Sequence, residues 1–113
     1  MKKFMAIYMA PAAMIQQMMQ MTPAQGKAGM AEWTRWSDAN DDMIDDLGAP
    51  LGKTKRITSA GVADAKNDLT GYSIVNAESF DEAAAMFKDH PHLKMGAGAS
   101  IELMECVNIE DMM

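Results

Sequence analysis

The first strand-length segment of the chain has apolar side chains at both its even and its odd positions. The two sets are Phe4, Ala6 and Tyr8 on one side and Met5, Ile7 and Met9 on the other. Because side chains two residues apart share a face of a strand, residues 3–9 predict a strand that is apolar on both faces. Such a strand is typical of a sheet that is covered on both sides.

The same segment has a second interpretation. Lys2 and Lys3 followed by a short apolar run resemble the start of a signal peptide. The run has about the length of one strand, and we therefore favour the strand.

The first predicted helix has a clear beginning. Thr22 is a good N-cap, Pro23 suits the first helical position, and Gln25 completes a capping box. Apolar residues then recur at helical steps as far as Leu47, and Gly48 is the kind of residue that ends a helix. Residues 10–21, before this helix, are expected to form a loop with a possible helical turn.

A second helix is predicted after Ser79, which forms a capping box with Glu82. An apolar stripe at helical spacing follows, formed by Phe80, Ala83, Ala84 and Phe87. Pro91 ends this helix.

Three further segments predict strands. Residues 51–59 form a more polar second strand near a sheet edge, residues 71–77 form the third, and residues 100–109 form the last. Residues 61–70 are rich in turn formers and predict a hairpin connection with Asn67 and Asp68 at its tip.

The order strand, helix, strand, strand, helix, strand predicts the architecture. It is typical of an α+β, ferredoxin-like βαββαβ domain spanning residues 1–113, with a four-stranded antiparallel sheet and both helices on one face. The other face would carry more apolar surface than a soluble monomer usually exposes. A second copy related by a two-fold axis covers that face most simply, so the sequence predicts a homodimer.

Charge and composition narrow the classes of function. The chain of 113 residues has a net charge of -6, which disfavours a nucleic-acid partner. No run approaches the roughly 20 apolar residues of a transmembrane helix. Cys106 is the only cysteine, so no intrachain disulfide can form. We expect a cytoplasmic protein that binds neither nucleic acid nor membranes.

Two unusual clusters raise the question of a metal. Methionines at helical spacing, Met14, Met18 and Met21, carry thioethers of the kind that bind copper(I), but no histidine or cysteine lies near them, which favours packing. The predicted end of the first helix is crowded by Asp38, Asp41, Asp42, Asp45 and Asp46. These carboxylates could hold a hard cation or attract a basic partner, although a solvated face is the simpler interpretation. We expect no metal and no cofactor.

Several short motifs together resemble the YCII-related family. They are GAPL at 48–51, AKNDLTGYSIV at 65–75, SFDEAAAMF at 79–87, HPHL at 90–93 and SIELMEC at 100–106. The resemblance implies a dimeric α/β barrel in which two ferredoxin-like sheets close face to face. Some relatives carry an Asp-Gly-Pro-Phe signature before the third strand. Residues 59–62 here are Ser-Ala-Gly-Val, so the role of that signature is not expected in this chain.

His92 is the best single candidate for chemistry. Imidazole titrates near neutral pH and suits acid–base catalysis, and the HPHL turn resembles the place where the family keeps a histidine. The alternative interpretation of His92 is a histidine at a helix end that hydrogen-bonds to the backbone. Tyr8, Tyr72 and His90 are candidate ligand-binding residues. For the two tyrosines, packing in the core with a satisfied hydroxyl is at least as good an interpretation. His90 and His92 could also pair on a metal, but Pro91 between them and the lack of a clear third ligand disfavour this.

These observations lead to two hypotheses. The first is a small homodimer that binds or transforms a small organic molecule in an apolar pocket between sheet and helices, with His92 as the acid–base or hydrogen-bonding group. The alternative is a non-enzymatic module for ligand sensing or protein interaction, because a fold alone does not decide between such functions.

Overall fold

The computed structural model describes residues 1–112, except for the side chains of residues 15 and 17–19. In chain order the elements are β1 (Lys2–Met9), α1 (Ala12–Met19), α2 (Pro23–Ala39), β2 (Ile44–Asp46), β3 (Thr54–Thr58), β4 (Gly61–Ala65), β5 (Leu69–Ala77), α3 (Phe80–Met86) and β6 (Ser100–Glu105). Three 3-10 helices lie at Asp41–Met43, Pro91–Met95 and Ile109–Met112. Within the described residues, no helix is both long enough and apolar enough to cross a bilayer.

The main sheet is antiparallel and has the strand order β2-β5-β1-β6. β1 and β5 are the central strands, and the two edge strands come from the middle and the end of the chain. This order, with helices packed on one face, is the ferredoxin-like topology that the sequence predicts. The predicted fold class is therefore confirmed.

The core lies between one face of the sheet and helices α2 and α3. Phe4, Ala6 and Tyr8 of β1 are buried there, as predicted for one phase of this strand. They pack with Val75 and Ala77 from β5 and with the helix residues Trp36, Ala83 and Phe87. The other phase of β1 and β5 is only half-buried, and it forms the open face of the sheet.

Both predicted N-caps are present. The Thr22 hydroxyl accepts from the Gln25 backbone N–H, and the Gln25 side chain accepts from the Thr22 backbone N–H, which is the complete capping box. The Ser79 hydroxyl accepts from the Glu82 backbone N–H at 3.1 Å. These short-range signals fix where the two helices of the core begin.

The first core helix ends earlier than predicted. α2 stops at Ala39 and is followed by the 3-10 helix Asp41–Met43 and by β2, so residues 41–47 do not continue the α-helix. The side-chain amide of Asn40 donates to the Trp36 carbonyl, and aspartates are unfavourable near a helix C-terminus. Gly48 does adopt a left-handed conformation, with φ of 83°, but it lies after β2 and not at a helix end.

The predicted second strand is also corrected. Its residues 54–58 form β3, which pairs with β4 in a separate two-stranded hairpin, whereas the edge strand of the main sheet is β2. The turn of this hairpin lies at Ser59 and Ala60, not at Asn67 and Asp68. Polar residues occur throughout the hairpin, so the sequence does not show the alternation of apolar and polar side chains that is typical of a strand.

Residues 12–19 form α1 instead of the predicted loop. Alanine, methionine and glutamine all have high helix propensity, which explains a helix that lacks a side-chain cap. The predicted methionine packing rests partly on Met18, whose side chain lies outside the described residues.

Candidate functional site

A cavity of about 370 Å³ lies between the sheet, the C-terminal half of α2 and the segment that follows β2. Its lining comprises Tyr8, Met30, Trp33, Thr34, Ser37, Leu47, Gly48, Ala49, Pro50, Thr70, Gly71, Tyr72, His92 and Met95. Most of this lining is apolar, and it includes no carboxylate, ammonium or guanidinium group within the described part of the chain. A cavity of this kind suits a small uncharged ring with a few polar substituents.

His92 is held on the cavity wall by the backbone of β1. The residue is 3% exposed, and its Nε2 lies 2.9 Å from the carbonyl oxygen of Met9. Because a carbonyl can only accept, Nε2 carries the proton, and in the neutral ring Nδ1 is left with a lone pair. No group among the described residues makes a hydrogen bond to Nδ1.

An irregularity in the pairing of β1 with β5 determines the position of the Met9 carbonyl. The register between β1 and β5 shifts between Tyr8, which pairs with Gly71, and Met9, which pairs with Leu69. Thr70 is the extra residue, and its hydroxyl donates to the Tyr8 carbonyl at 3.0 Å. Bulges of this type often lie beside functional sites, because they redirect groups at the end of a strand.

His90 is buried behind the cavity wall and does not line the cavity. Its Nδ1 accepts a hydrogen bond of 3.0 Å from the backbone N–H of His92, so it caps the 3-10 helix Pro91–Met95. The ring stacks on Tyr8 with a centroid distance of 4.9 Å, and it meets both Trp33 and Trp36 edge to face at 4.4 Å.

The surroundings of His90 keep it neutral. Burial away from water lowers its pKa to about 3, and the neighbouring His92 adds to this shift. With Nδ1 acting as an acceptor, the single proton of the neutral ring lies on Nε2, which has no hydrogen-bond partner among the described residues. His90 is therefore a structural support for His92 and Tyr8.

The Tyr8 hydroxyl begins a chain of hydrogen bonds that continues through Ser73 to the Leu47 carbonyl. The Ser73 hydroxyl lies 2.6 Å from the Leu47 carbonyl and 2.7 Å from the Tyr8 hydroxyl. Ser73 must donate its one proton to the carbonyl, so Tyr8 donates to Ser73. The Tyr8 oxygen keeps its lone pairs and can accept a hydrogen bond from a ligand.

Burial raises the pKa of Tyr8 to about 12, and the hydrogen bond with Ser73 offsets this only in part. Tyr8 is thus a neutral phenol at physiological pH. Tyr8 and His92 thus bring a neutral phenol and an imidazole to the lining of the cavity.

Two glycines open the cavity. Gly71 lies opposite Tyr8 on the buried face, and a Cβ there would lie 3.3 Å from both the Tyr8 ring and the Ala49 carbonyl oxygen. At Gly48 a Cβ would come within 1.7 Å of the Tyr72 carbonyl oxygen, so the chain can approach β5 only with glycine there.

The structure brings three of the four predicted site residues to one cavity. Tyr8, Tyr72 and His92 line it, whereas His90 supports it from behind. Ser73 is not among the predicted site residues, although its position in the buried phase of β5, two residues from Val75, is a usable signal.

No metal site is present among the described residues, because no three metal-ligating side chains come together there. Asp41, Asp42, Asp45 and Asp46 lie beyond the end of α2 and not in its last turns, where the sequence predicts them. Asp45 makes a salt bridge of 3.3 Å with Lys3.

The fold and the cavity define the class of protein: a ferredoxin-like α+β domain with an apolar cavity between its sheet and its helical layer. One similar solved structure is the 5-chloro-2-hydroxyhydroquinone dehydrochlorinase from Burkholderia phenoliruptrix AC1100 in complex with 2,5-dihydroxybenzoquinone. It is 19% identical, with a TM-score of 0.52, over 88% of this chain and 90% of that chain. A search of curated proteins gave no match. The chain belongs to the YCII-related domain family, whose model matches residues 1–107.

Proposed function

We propose that this protein binds or transforms a small hydroxylated ring compound in the cavity, with His92 as the acid–base or hydrogen-bonding group. The observation that carries the proposal is the pairing of His92 Nε2 with the Met9 carbonyl, which leaves Nδ1 unbonded on a cavity wall. A neutral imidazole nitrogen held in this way can accept a hydrogen bond or a proton from a hydroxyl group.

The walls of the cavity define the expected ligand. Trp33 and Tyr8 are aromatic, and they suit a flat ring. Because the lining carries no fixed charge, a strongly ionised ligand would lose its hydration without compensation. The dehydrochlorinase is named for a hydroxylated and chlorinated hydroquinone, and it was solved with a dihydroxylated quinone, which supports this class of ligand.

The proposal includes a homodimer that uses the open face of the main sheet. Met5, Ile7 and Ile74 are half-buried there, and Met104 is 47% exposed. Register places these four side chains on one face, because Met5 pairs with both Ile74 and Met104. Covering such a face with the same face of a second copy removes the apolar surface from water.

Ligand binding is tested by a thermal-shift panel of hydroquinone, catechol, 2,5-dihydroxybenzoquinone and benzoate. We expect the uncharged hydroxylated rings to raise the Tm of the wild-type protein and benzoate to leave it unchanged. His92→Ala should abolish the shift. Leu93→Ala, at the neighbouring half-exposed position outside the cavity lining, is the matched control and should retain it. If both variants keep the thermal shift, His92 is not part of the site.

The same panel separates an enzyme from a non-enzymatic sensor. Absorbance spectra recorded with each binding compound report whether it is converted. Binding without conversion by the wild-type protein favours the alternative, a ligand-sensing or interaction module. Conversion that is lost in His92→Ala while folding is retained favours the enzyme.

The dimer is tested separately by sedimentation equilibrium. Ile7→Lys places a charge in the centre of the open face and should give monomers. Leu93→Lys introduces the same charge away from that face and should leave the dimer intact. A wild-type chain that sediments as a monomer at about 100 µM would contradict the proposed dimer.

A further inference from the structure

The β3–β4 hairpin stands away from the body of the molecule. We define the arm as residues 53–66. Every residue from 55 to 64 is exposed, and within the described chain β3 and β4 pair only with each other. An isolated two-stranded hairpin is marginally stable in water, so an arm of this kind needs a surface to pack against.

The arm carries an apolar pair that has no cover in this chain. Ile57 and Val62 pair directly across the two strands, and they are 76% and 66% exposed. Two β-branched side chains side by side on one face of a hairpin form a small hydrophobic contact surface. Buried against another surface, they would contribute apolar area and specificity to an interface.

The arm is also basic, in contrast to the rest of the chain. It contains four basic residues, Lys53, Lys55, Arg56 and Lys66, and one acidic residue, Asp64, in a chain with a net charge of -6. Lys55 makes a salt bridge with Asp64. Lys53, Arg56 and Lys66 make none with the described residues, so their charges are free to pair with another molecule.

The complementary surface lies on the chain itself. We define the acidic edge as residues 38–46, which contain five aspartates and no basic residue. Asp38, Asp41 and Asp42 are exposed and make no salt bridge with the described residues. The acidic edge includes β2, the outermost strand of the main sheet beside β5, so it borders the open face of the proposed dimer.

We infer that the arm of one copy packs on the acidic edge of a second copy, with Ile57 and Val62 covered in the contact. The arm leaves the body beside the cavity, where Pro50 bridges to Gly71 and the Leu51 backbone N–H donates to the Thr70 carbonyl. Two such contacts, related by the two-fold axis, extend the proposed sheet-to-sheet interface. Opposite charges in such a contact fix which partner binds and in which register.

Charge reversal tests this contact. The arm variant is Lys53→Glu/Arg56→Glu/Lys66→Glu, and the edge variant is Asp38→Lys/Asp41→Lys/Asp42→Lys. Each alone places like charges against each other in a homodimer, and we expect a dimer dissociation constant at least about tenfold higher than that of the wild type at low salt. The control Lys27→Glu/Lys88→Glu/Lys94→Glu makes the same charge change outside the arm and should match the wild type.

Mixing the two reversed variants decides the question. In a heterodimer each negative arm meets a positive edge and each positive arm meets a negative edge, so both contacts are restored. Native mass spectrometry should therefore show mainly heterodimers, and this rescue also shows that both variants fold. Unchanged dissociation constants in the single variants, or a statistical mixture of species, would overturn the inference. If the arm binds some other acidic partner instead, the mixed variants give a statistical mixture of species. If Ile7→Lys does not disrupt the dimer, the result counts against the sheet-to-sheet interface and not against the arm contact.

Discussion

The backbone N–H of His92 donates a hydrogen bond to Nδ1 of His90, so one histidine sets the position of the other. His90 occupies the N-cap position of a 3-10 helix, a place where asparagine, aspartate and serine are common. Its ring also packs against Tyr8 and two tryptophans. Support of His92 by His90 therefore has two separable parts, the cap and the ring packing.

Two substitutions separate these parts. His90→Asn keeps an acceptor for the His92 N–H but removes a buried ring, and we expect the free energy of unfolding to fall by about 3 kcal/mol. His90→Phe keeps the ring and leaves the His92 N–H without its acceptor, at a cost of about 1–3 kcal/mol. Urea denaturation measures both. In His90→Phe the free energy of ligand binding should decrease by more than the free energy of unfolding, because the turn that carries His92 loses its cap. An unaffected affinity in that variant would contradict the supporting role.

The depressed pKa of His90 predicts a loss of stability in acid. The folded chain protonates His90 with a pKa near 3, whereas the unfolded chain does so near 6.5. Between these values the unfolded chain binds more protons, so the free energy of unfolding falls as the pH falls below 6.5. The contribution of His90 is complete above pH 6.5 and should decrease by about 2 kcal/mol between pH 7 and pH 5.

The matching measurement is urea denaturation of the wild type and of His90→Phe at pH 7, 6 and 5. Because carboxylates titrate in both proteins, the difference between them isolates His90. That difference should shrink toward acid pH. A constant difference across the three pH values would show that His90 takes up its proton equally in folded and unfolded chains.

Tyr8 and Ser73 should respond unequally to truncation. Tyr8→Phe leaves Ser73 bonded to the Leu47 carbonyl, so we expect a loss of about 1 kcal/mol. Ser73→Ala leaves both the Tyr8 hydroxyl and the Leu47 carbonyl without their partner, and about 2–3 kcal/mol should be lost. Thermal unfolding of the two single variants gives the comparison. A larger loss in Tyr8→Phe would contradict the assigned direction of the hydrogen bonds.

Gly48 has a conformational role that alanine cannot fill. Its φ of 83° and the 1.7 Å approach of a Cβ to the Tyr72 carbonyl both exclude a side chain. We expect Gly48→Ala to destabilise the protein by about 3 kcal/mol or more and to change the width of the cavity. Gly52→Ala is the matched control, because a Cβ there meets nothing within 4 Å. Equal Tm values for the two variants would refute the close approach.

Much of the fold follows from signals that act over a few residues. The alternation of β1, the caps at Thr22 and Ser79 and the apolar phase of β5 all predicted elements that the structure contains. The early end of α2 could not be predicted in the same way, because Met43 and Ile44 continue the helical spacing. Ile44 instead pairs with Val75 in the sheet, a long-range contact that outweighs local propensity.

The site was predictable only in part for a similar reason. His92 and Tyr8 could be chosen by residue type, but the groups that orient them are the Met9 carbonyl and the Ser73 hydroxyl, far away in the chain. His90 was assigned to the ligand because histidine is chemically versatile. The structure packs its ring among four aromatic rings, which a residue-by-residue reading of the sequence could not show.

The central claim is that His92 carries its proton on Nε2 and offers Nδ1 to a ligand in the cavity. Long-range nitrogen–proton NMR spectra of the histidine rings measure this directly, first in the free protein and then in the presence of saturating hydroquinone. We expect an Nε2-protonated tautomer for His92 in the free protein and a shift of the Nδ1 resonance on binding, with His90 unchanged. A His92 protonated on Nδ1, or an Nδ1 resonance that does not move while hydroquinone binds, would contradict it.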